Sequence, residues 1–326
     1  MSDLSLLPPG LVVNTMKGDV AEHRAGGWLS WNGSLELDCA IVGVPYDGAS
    51  VVRTGSRHGP DAVRQGLMYF TTYSSHDKKS MSDLRVADIG DVSVVLTDMP
   101  ETFSRISAAV HALASRDIIP IMIGGDHSIA FPDMCGIMDT LPEEEKLGVI
   151  HFDAHHDLRE AHLGAESSGV PFRKALERMD TRVHGANIVQ IGMAEFTNSP
   201  QLEEYAQEQG ITVISAMEVQ QTSISQAVCK AIEIAGAGTA GIFLSVDIDV
   251  LNLAYAPGTA APNPFGLSAM DLQLALRMIG ASGKVLGADL VEISPPYDQN
   301  NLTGSVGASL LLSLLYGIAM SKNLLH

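Results

Sequence analysis

The chain has 326 residues, with 20 Lys and Arg against 38 Asp and Glu, for a formal net charge of −18. A surface this acidic repels phosphate backbones and anionic lipid, so nucleic acid and membrane surfaces are not expected partners, while small cationic ligands and metal ions are. A composition of 46% hydrophobic and 18% charged residues excludes an acidic disordered chain and provides for a large core. Cys39, Cys135 and Cys229 are odd in number and have no CxxC spacing, which argues against a disulfide framework or thiolate zinc site. They are expected as buried, small apolar residues in a reducing, cytoplasmic setting. The opening MSDLSLLPPG has no basic start and no long apolar stretch, so no signal peptide is expected.

After an irregular arm over residues 1–35, short apolar runs rich in β-formers recur along the chain. They are CAIVGV from Cys39, IIPIMI from Ile118, LGVIHF from Leu147, NIVQI from Asn187, ITVIS from Ile211, GIFLSV from Gly241 and KVLGADL from Lys284. Continuous apolar runs of this length are expected for strands buried on both faces. Helix-period segments lie between them at residues 101–115, 223–235 and 268–280. The alternation predicts an α/β fold with helices on both faces of a central, mostly parallel sheet of about eight strands, in one domain over residues 36–326. Residues 306–320 are strongly apolar but broken by Ser309 and Ser313, which predicts a buried helix rather than a membrane span.

In such a sheet ligands gather where strands end at their carboxyl edge. IIPIMI runs into Gly124-Gly125-Asp126-His127-Ser128, LGVIHF into Asp153-Ala154-His155-His156-Asp157, and GIFLSV into Asp247-Ile248-Asp249. Strand alternation puts Asp153, His155 and Asp157 on one side. A single Asp-x-Asp at a strand end is most often a helix cap or turn. Three such clusters offering His127, Asp153, His155, Asp157, Asp247 and Asp249 instead suit two divalent ions that share carboxylates and activate water. GAGTAG at 236–241 has the dinucleotide-binding pattern but stands after a helix and before a strand, the wrong order for that site. The nucleophile elbow GxSxG of serine hydrolases is absent, as are the GDxxD and GNH[DE] elements that would accompany the DxH of a metallophosphoesterase.

The motifs GGDHS around His127, DAHHD at 153–157, SVDIDVL at 245–251 and VEISPP at 291–296 together resemble the ureohydrolases, the group of arginase, agmatinase and formimidoylglutamase. GVPYDGASVVRTGSRHGPDAVR at 43–64, DIGDV at 88–92 and APGTAAPNPFGLS at 256–268 extend the similarity over nearly the whole chain after the arm. The resemblance implies a three-layer α/β/α arginase-like fold and two Mn2+ per chain. One ion would be held by His127, Asp153, Asp157 and Asp247 and the other by Asp153, His155, Asp247 and Asp249. It further implies that a hydroxide between the ions attacks the carbon of an amidine or guanidine. Asp157 would relay the proton, and Glu292 would pair with the cationic substrate. Relatives commonly form trimers or hexamers, so a homo-oligomer is expected.

Where arginase and agmatinase carry a proton-shuttling His-Gly, this chain reads Glu166-Ser167-Ser168-Gly169, and His162 nearby is out of register. DAHHDLR, SSGVPFRKAL and EFTNSPQL look like formimidoylglutamase, which releases formamide and glutamate. In that reading Arg159 and Ser168 contact substrate, although a structural Arg–Asp pair is an equal alternative for Arg159. Ala194, where formimidoylglutamases have a basic residue, and the VEISPPYD and APGTAAPNP segments look more like agmatinase. Formimidoylglutamate is therefore the first expected substrate, and agmatine or another guanidino compound the second. A catalytically idle, metal-stabilised subunit or binding module is the alternative from outside the enzymes.

Overall fold

A computed structural model describes residues 24–161, 166–179 and 181–326. Its strands are β1 (Cys39–Val44), β2 (Tyr73–Ser74), β3 (Lys79–Ser80), β4 (Val86–Asp91), β5 (Ile119–Gly124), β6 (Leu147–Phe152), β7 (Ile188–Met193), β8 (Thr212–Ser215), β9 (Gly241–Asp247) and β10 (Val285–Val291). Its helices are α1 (Ala25–Trp28), α2 (Gly59–Leu67), α3 (Met99–Ala114), α4 (Ala130–Met138), α5 (Pro171–Arg178), α6 (Pro200–Glu208), α7 (Ala216–Gln221), α8 (Ile224–Ala235), α9 (Ala269–Ala281) and α10 (Leu302–Ser321).

Eight strands form one sheet in the order β4-β1-β5-β10-β9-β6-β7-β8, and β2 and β3 pair separately as an antiparallel ladder. Every neighbouring pair in the large sheet is parallel. Each of the seven apolar runs becomes a strand, and β1, β6, β7 and β9 are buried along their whole length. The eighth, β4, lies at the sheet edge and carries Asp88 and Gly90 in a half-exposed pattern, so it lacks the apolar run by which a central strand is recognised.

Alternation along the strands divides the core into two layers. Ile41, Ile121, Ile123, Ile150 and Phe152 point to one face, where residues of α2, α8, α9 and α10 cover them. Ala40, Val42, Met122, Leu147 and Val149 point to the other, against α3, α4, α5 and α6. Ser223 and Ser268 cap α8 and α9 by accepting hydrogen bonds from Gln226 N at 3.2 Å and Asp271 N at 3.0 Å, which satisfies helix-end donors.

Helix α10 runs for 20 residues, long and apolar enough to cross a membrane, but 78% of its most apolar window is buried inside the fold. It begins earlier than the predicted 306–320, so burial rather than length identifies it as a core helix. A Cβ on Gly317 would lie 2.2 Å from the Arg277 carbonyl, so glycine there permits α9 and α10 to pack backbone against backbone.

Two expectations change. Cys39 is buried, but Cys135 is only partly buried and Cys229 is exposed. Helix α8 presents Cys229 on its outer side, while Ala227, Val228 and Ala231 face inward. Residues 1–23 of the arm lie outside the described residues; in its remainder Ala25–Trp28 forms a helical turn with Ala25 in the core.

Candidate metal centre

Strands β5, β10, β9 and β6 are neighbours in the sheet, so their carboxyl ends deliver His127, Glu292, Asp247 and Asp153 to one place. The turn after β5 is pressed against the loop after β1: a Cβ on Gly125 would lie 2.0 Å from the Tyr46 carbonyl. Asp126 then locks the two together, accepting from Ala49 N at 2.8 Å and Ser128 N at 3.0 Å. The rim loops are stitched in the same way. Ser168 N donates to Ala49 O at 2.9 Å. Arg53 donates to Thr259 O at 2.8 Å and Ala260 O at 3.0 Å.

His127 Nδ1 lies 3.2 Å from Asp153 Oδ2, 3.1 Å from Asp157 Oδ2 and 3.3 Å from Asp247 Oδ2, yet has no hydrogen-bond partner. Its other nitrogen explains why. Ser245 Oγ donates to Asp289 Oδ1 at 2.7 Å and lies 2.8 Å from His127 Nε2. The hydroxyl therefore accepts from Nε2–H, so that in the neutral imidazole the lone pair is on Nδ1. One nitrogen lone pair and three carboxylate oxygens thus converge in the protein interior.

A second convergence adjoins the first. His155 Nδ1 lies 3.3 Å from Asp153 Oδ1 and 3.1 Å from Asp249 Oδ2. Asp153 thereby directs one oxygen to each cluster. Asp247 directs Oδ2 to the first and is steadied through Oδ1 by Asp249 N at 2.8 Å. Donor separations of this size match the edges of an octahedron, ~3.0 Å for bonds of about 2.1 Å. Buried lone pairs facing one another are costly unless a cation lies between them. The residues therefore fit divalent metal, and the six predicted ligands lie in these two adjoining clusters.

The acid–base balance of the clustered groups shows what a bound cation must displace. Burial, then the charges of Asp249 and Asp153, push the Asp247 carboxyl well above its usual range. Burial and Asp153 raise Asp249 to about 6. Burial disfavours charge on His155, but Asp249 and Asp153 outweigh it and raise the imidazole to about 12. Burial likewise opposes protonation of His127, and contacts with Asp153, Asp157 and Asp247 overcome it. Protons on these groups occupy the place of metal, so binding metal must expel them.

Metal affinity is consequently expected to rise with pH, about tenfold per pH unit for each proton displaced. Below pH 6 the Asp249 carboxyl joins the protonated set, and the loss steepens. Calorimetric titration with Mn2+ at several pH values, in buffers of different ionisation enthalpy, measures the proton count. Retention of a full metal complement after dialysis at pH 4 would contradict this ligand set.

Asp157 and Glu292 both have left-handed backbone conformations, with φ of +51° and +64°. Such strain in non-glycine residues concentrates at working sites. Glu292 Oε1 accepts from His127 N at 3.0 Å, while Oε2 is buried without a partner. Burial, followed by the charges of Asp247 and Asp126, pushes this carboxyl well above its ordinary value. A cleft opens over the cluster, with Glu292 and the clustered acids at its floor and Val51, Val52, Ala260, Arg159 and Ser168 along its sides. Arg159 is exposed, and among the described residues no carboxylate is paired with it. His162 lies outside the described residues.

His151 is a residue that the sequence reading missed. It sits inside β6, with Nε2 at 2.8 Å from Asp153 Oδ2. Strand alternation, which puts His151 and Asp153 on one face, was the available signal.

The arginase family model matches residues 37–317. The formimidoylglutamase of Bacillus subtilis (strain 168) is 31% identical over 294 residues, 90% of this chain and 91% of that protein. Its crystal structure superposes with a TM-score of 0.87 at 29% identity, over 94% of this chain and 99% of that one. The guanidinopropionase of Pseudomonas aeruginosa is 34% identical over 289 residues, 87% of this chain and 88% of that protein.

Proposed function

Because this chain belongs to the arginase family, we propose that it is a binuclear metal-dependent hydrolase of a small linear amidine that carries a carboxylate, with formimidoylglutamate as the first substrate. Water adds its oxygen to the amidine carbon, the bond from that carbon to the glutamate nitrogen breaks, and formamide and glutamate leave. The catalytic unit spans residues 36–326. His127, Asp153, Asp157 and Asp247 would hold one ion, and Asp153, His155, Asp247 and Asp249 the other. Manganese suits this mixture of carboxylate oxygen and imidazole nitrogen. When bound, the ions supply the acidity that ionises water at neutral pH and a positive field at the reacting carbon.

The chain's own groups perform the rest. Glu292 receives the amidinium N–H groups on Oε2, the oxygen without a partner. His127 N holds the other oxygen and stops the carboxylate from rotating, and burial strengthens the charge-assisted pair. Asp157, 9% exposed at the edge of the cluster, takes the proton of the attacking water on a carboxylate oxygen and returns it to the leaving nitrogen. Arg159 and Ser168 receive the substrate carboxylate, while Val51, Val52 and Ala260 line the cleft and exclude water from the chain between the two ends.

The observation that carries this reading is one cleft with an unpartnered buried carboxylate oxygen at its floor and an exposed guanidinium at its rim. A substrate that is cationic at one end and anionic at the other satisfies both. A guanidino acid would do so as well, and the similarity to guanidinopropionase makes that the second reading. Agmatine would bring an ammonium towards Arg159.

The test is a panel on the Mn2+-loaded protein comparing formimidoylglutamate, 3-guanidinopropionate, 4-guanidinobutyrate and agmatine. Formamide release from formimidoylglutamate is expected, with the acids favoured over agmatine by about 100-fold in kcat/KM, equivalent to ~3 kcal/mol of charge discrimination. A preference for agmatine would overturn the assignment of Arg159. Silence on all four with metal bound would favour an idle metal-stabilised subunit.

A further inference from the structure

Gln190 is fully buried on β7, directly across the ladder from His151 on β6. Both of its amide hydrogens and its oxygen are engaged. Nε2 donates to His151 Nδ1 at 3.1 Å and to the His156 carbonyl at 2.7 Å. Oε1 lies 2.7 Å from His156 Nδ1, from which it accepts. The orientation of the amide is forced, because turning it over would set Oε1 against the carbonyl oxygen of His156.

We infer that Gln190 is a positioning residue for the metal centre: by donating to His151 Nδ1 it places the histidine's proton on Nε2, and that N–H aims the Asp153 carboxylate at both ligand clusters. The inference rests on the reading of Asp153 as a shared metal ligand.

Each link follows from donor and acceptor chemistry. An amide nitrogen can only donate, so His151 Nδ1 must accept and Nε2 must carry the hydrogen. Nε2–H then donates to Asp153 Oδ2 at 2.8 Å. That oxygen also faces His127 Nδ1 at 3.2 Å, while Asp153 Oδ1 faces His155 at 3.3 Å. Two hydrogen bonds fix the torsion of the carboxylate, one from His151 on Oδ2 and one from His155 N on Oδ1 at 2.6 Å, so that its two oxygens stay divided between the clusters. The His151 ring cannot turn away, because Phe172 lies against it at 4.0 Å between centroids and 35° between planes. The far side of the network is also held, with His156 N donating to Asn198 Oδ1 at 3.1 Å.

This arrangement also shows why His151, although it stands beside His127 and Asp153 in a metal-like group, is not itself a ligand. Its Nδ1 is occupied by Gln190, and its Nε2 presents a hydrogen rather than a lone pair.

Two variants and one direct observation test the inference. Gln190→Leu removes all three hydrogen bonds at nearly constant volume, whereas Gln190→Glu keeps an acceptor for His156 but offers His151 no donor. Both are expected to weaken Mn2+ binding by about 10- to 100-fold, the range seen when partners of metal ligands are lost, read by titration of the purified chain rather than by activity. Nitrogen NMR on the metal-free wild-type chain should show His151 protonated on Nε2 and not on Nδ1, and Gln190→Glu should place a proton on Nδ1.

Wild-type Mn2+ affinity in the folded variants would overturn the inference, as would an Nδ1–H tautomer in the wild-type chain. If Gln190→Leu does not fold, the polar Gln190→Glu variant and the wild-type tautomer still decide. If the wild-type chain itself takes up no Mn2+, the metal reading fails, and the tautomer measurement still tests Gln190.

Discussion

Replacing Asp247 with alanine is expected to lower turnover on the order of 10³-fold or more, to reduce bound Mn2+ below two per chain and to leave the helix and strand signature in circular dichroism intact. The effect is large because Asp247 ends the central strand β9, turns Oδ2 towards His127 at 3.3 Å and fixes Asp249 through its backbone N–H at 2.8 Å. No neighbour can replace it.

Stability should move the other way in the metal-free chain. Burial, with Asp249 and Asp153, raises the Asp247 carboxyl well above its ordinary value. A carboxyl raised on folding disfavours the folded state increasingly as pH climbs from its unfolded pKa towards its folded one. Below the unfolded pKa the penalty disappears. Metal-free Asp247→Ala should therefore melt at or above the wild-type temperature at pH 7 and lose that advantage near pH 4. Its further stabilisation by added Mn2+ should be smaller. Near-normal activity in this variant would refute the site.

Glu292→Gln separates substrate binding from metal binding. The glutamine oxygen can still accept from His127 N, now 3.0 Å from Oε1, so the cluster is expected to keep two metals. The other side of the group changes from an acceptor without a partner to an N–H donor, opposed to the N–H donors of an amidinium. Losing one member of a buried charged pair costs about 2–5 kcal/mol. This predicts a fall in kcat/KM on the order of 10²- to 10³-fold at unchanged metal content. Unchanged kcat/KM would remove Glu292 from the substrate site, and loss of metal in parallel would make it part of the metal scaffold.

The legible and hidden parts of this protein divide on physical grounds. Strands β5, β6 and β9 were readable because a parallel strand buried on both faces must be apolar throughout, and the abrupt change to Asp and His marks its end. That change exposed all six candidate ligands. Glu292 was legible only through the resemblance, since one Glu after an apolar run has several ordinary explanations. Its unpartnered oxygen and its φ of +64° emerge only in three dimensions.

Strand β4 was hidden because an edge strand may carry Asp88 and Gly90 without cost to the core. Gln190 and His151 were hidden for a different reason. Alternation along β6 sets His151 beside Asp153, but its pairing with Gln190 lies across the ladder between β6 and β7 and emerges only in three dimensions. The rim was the least legible part. Ser168 and Arg159 reach the cleft through loops that long-range contacts hold, Ser168 N to Ala49 O and Arg159 N to Gly169 O, both at 2.9 Å.

The central claim is that six side chains from three strand ends form one two-metal centre. It is tested most directly by counting Mn2+ on the purified chain at pH 8, with elemental analysis and electron paramagnetic resonance on the same sample. The account predicts two ions per chain and the signature of a spin-coupled pair. A single uncoupled ion at saturation, or none, would contradict it.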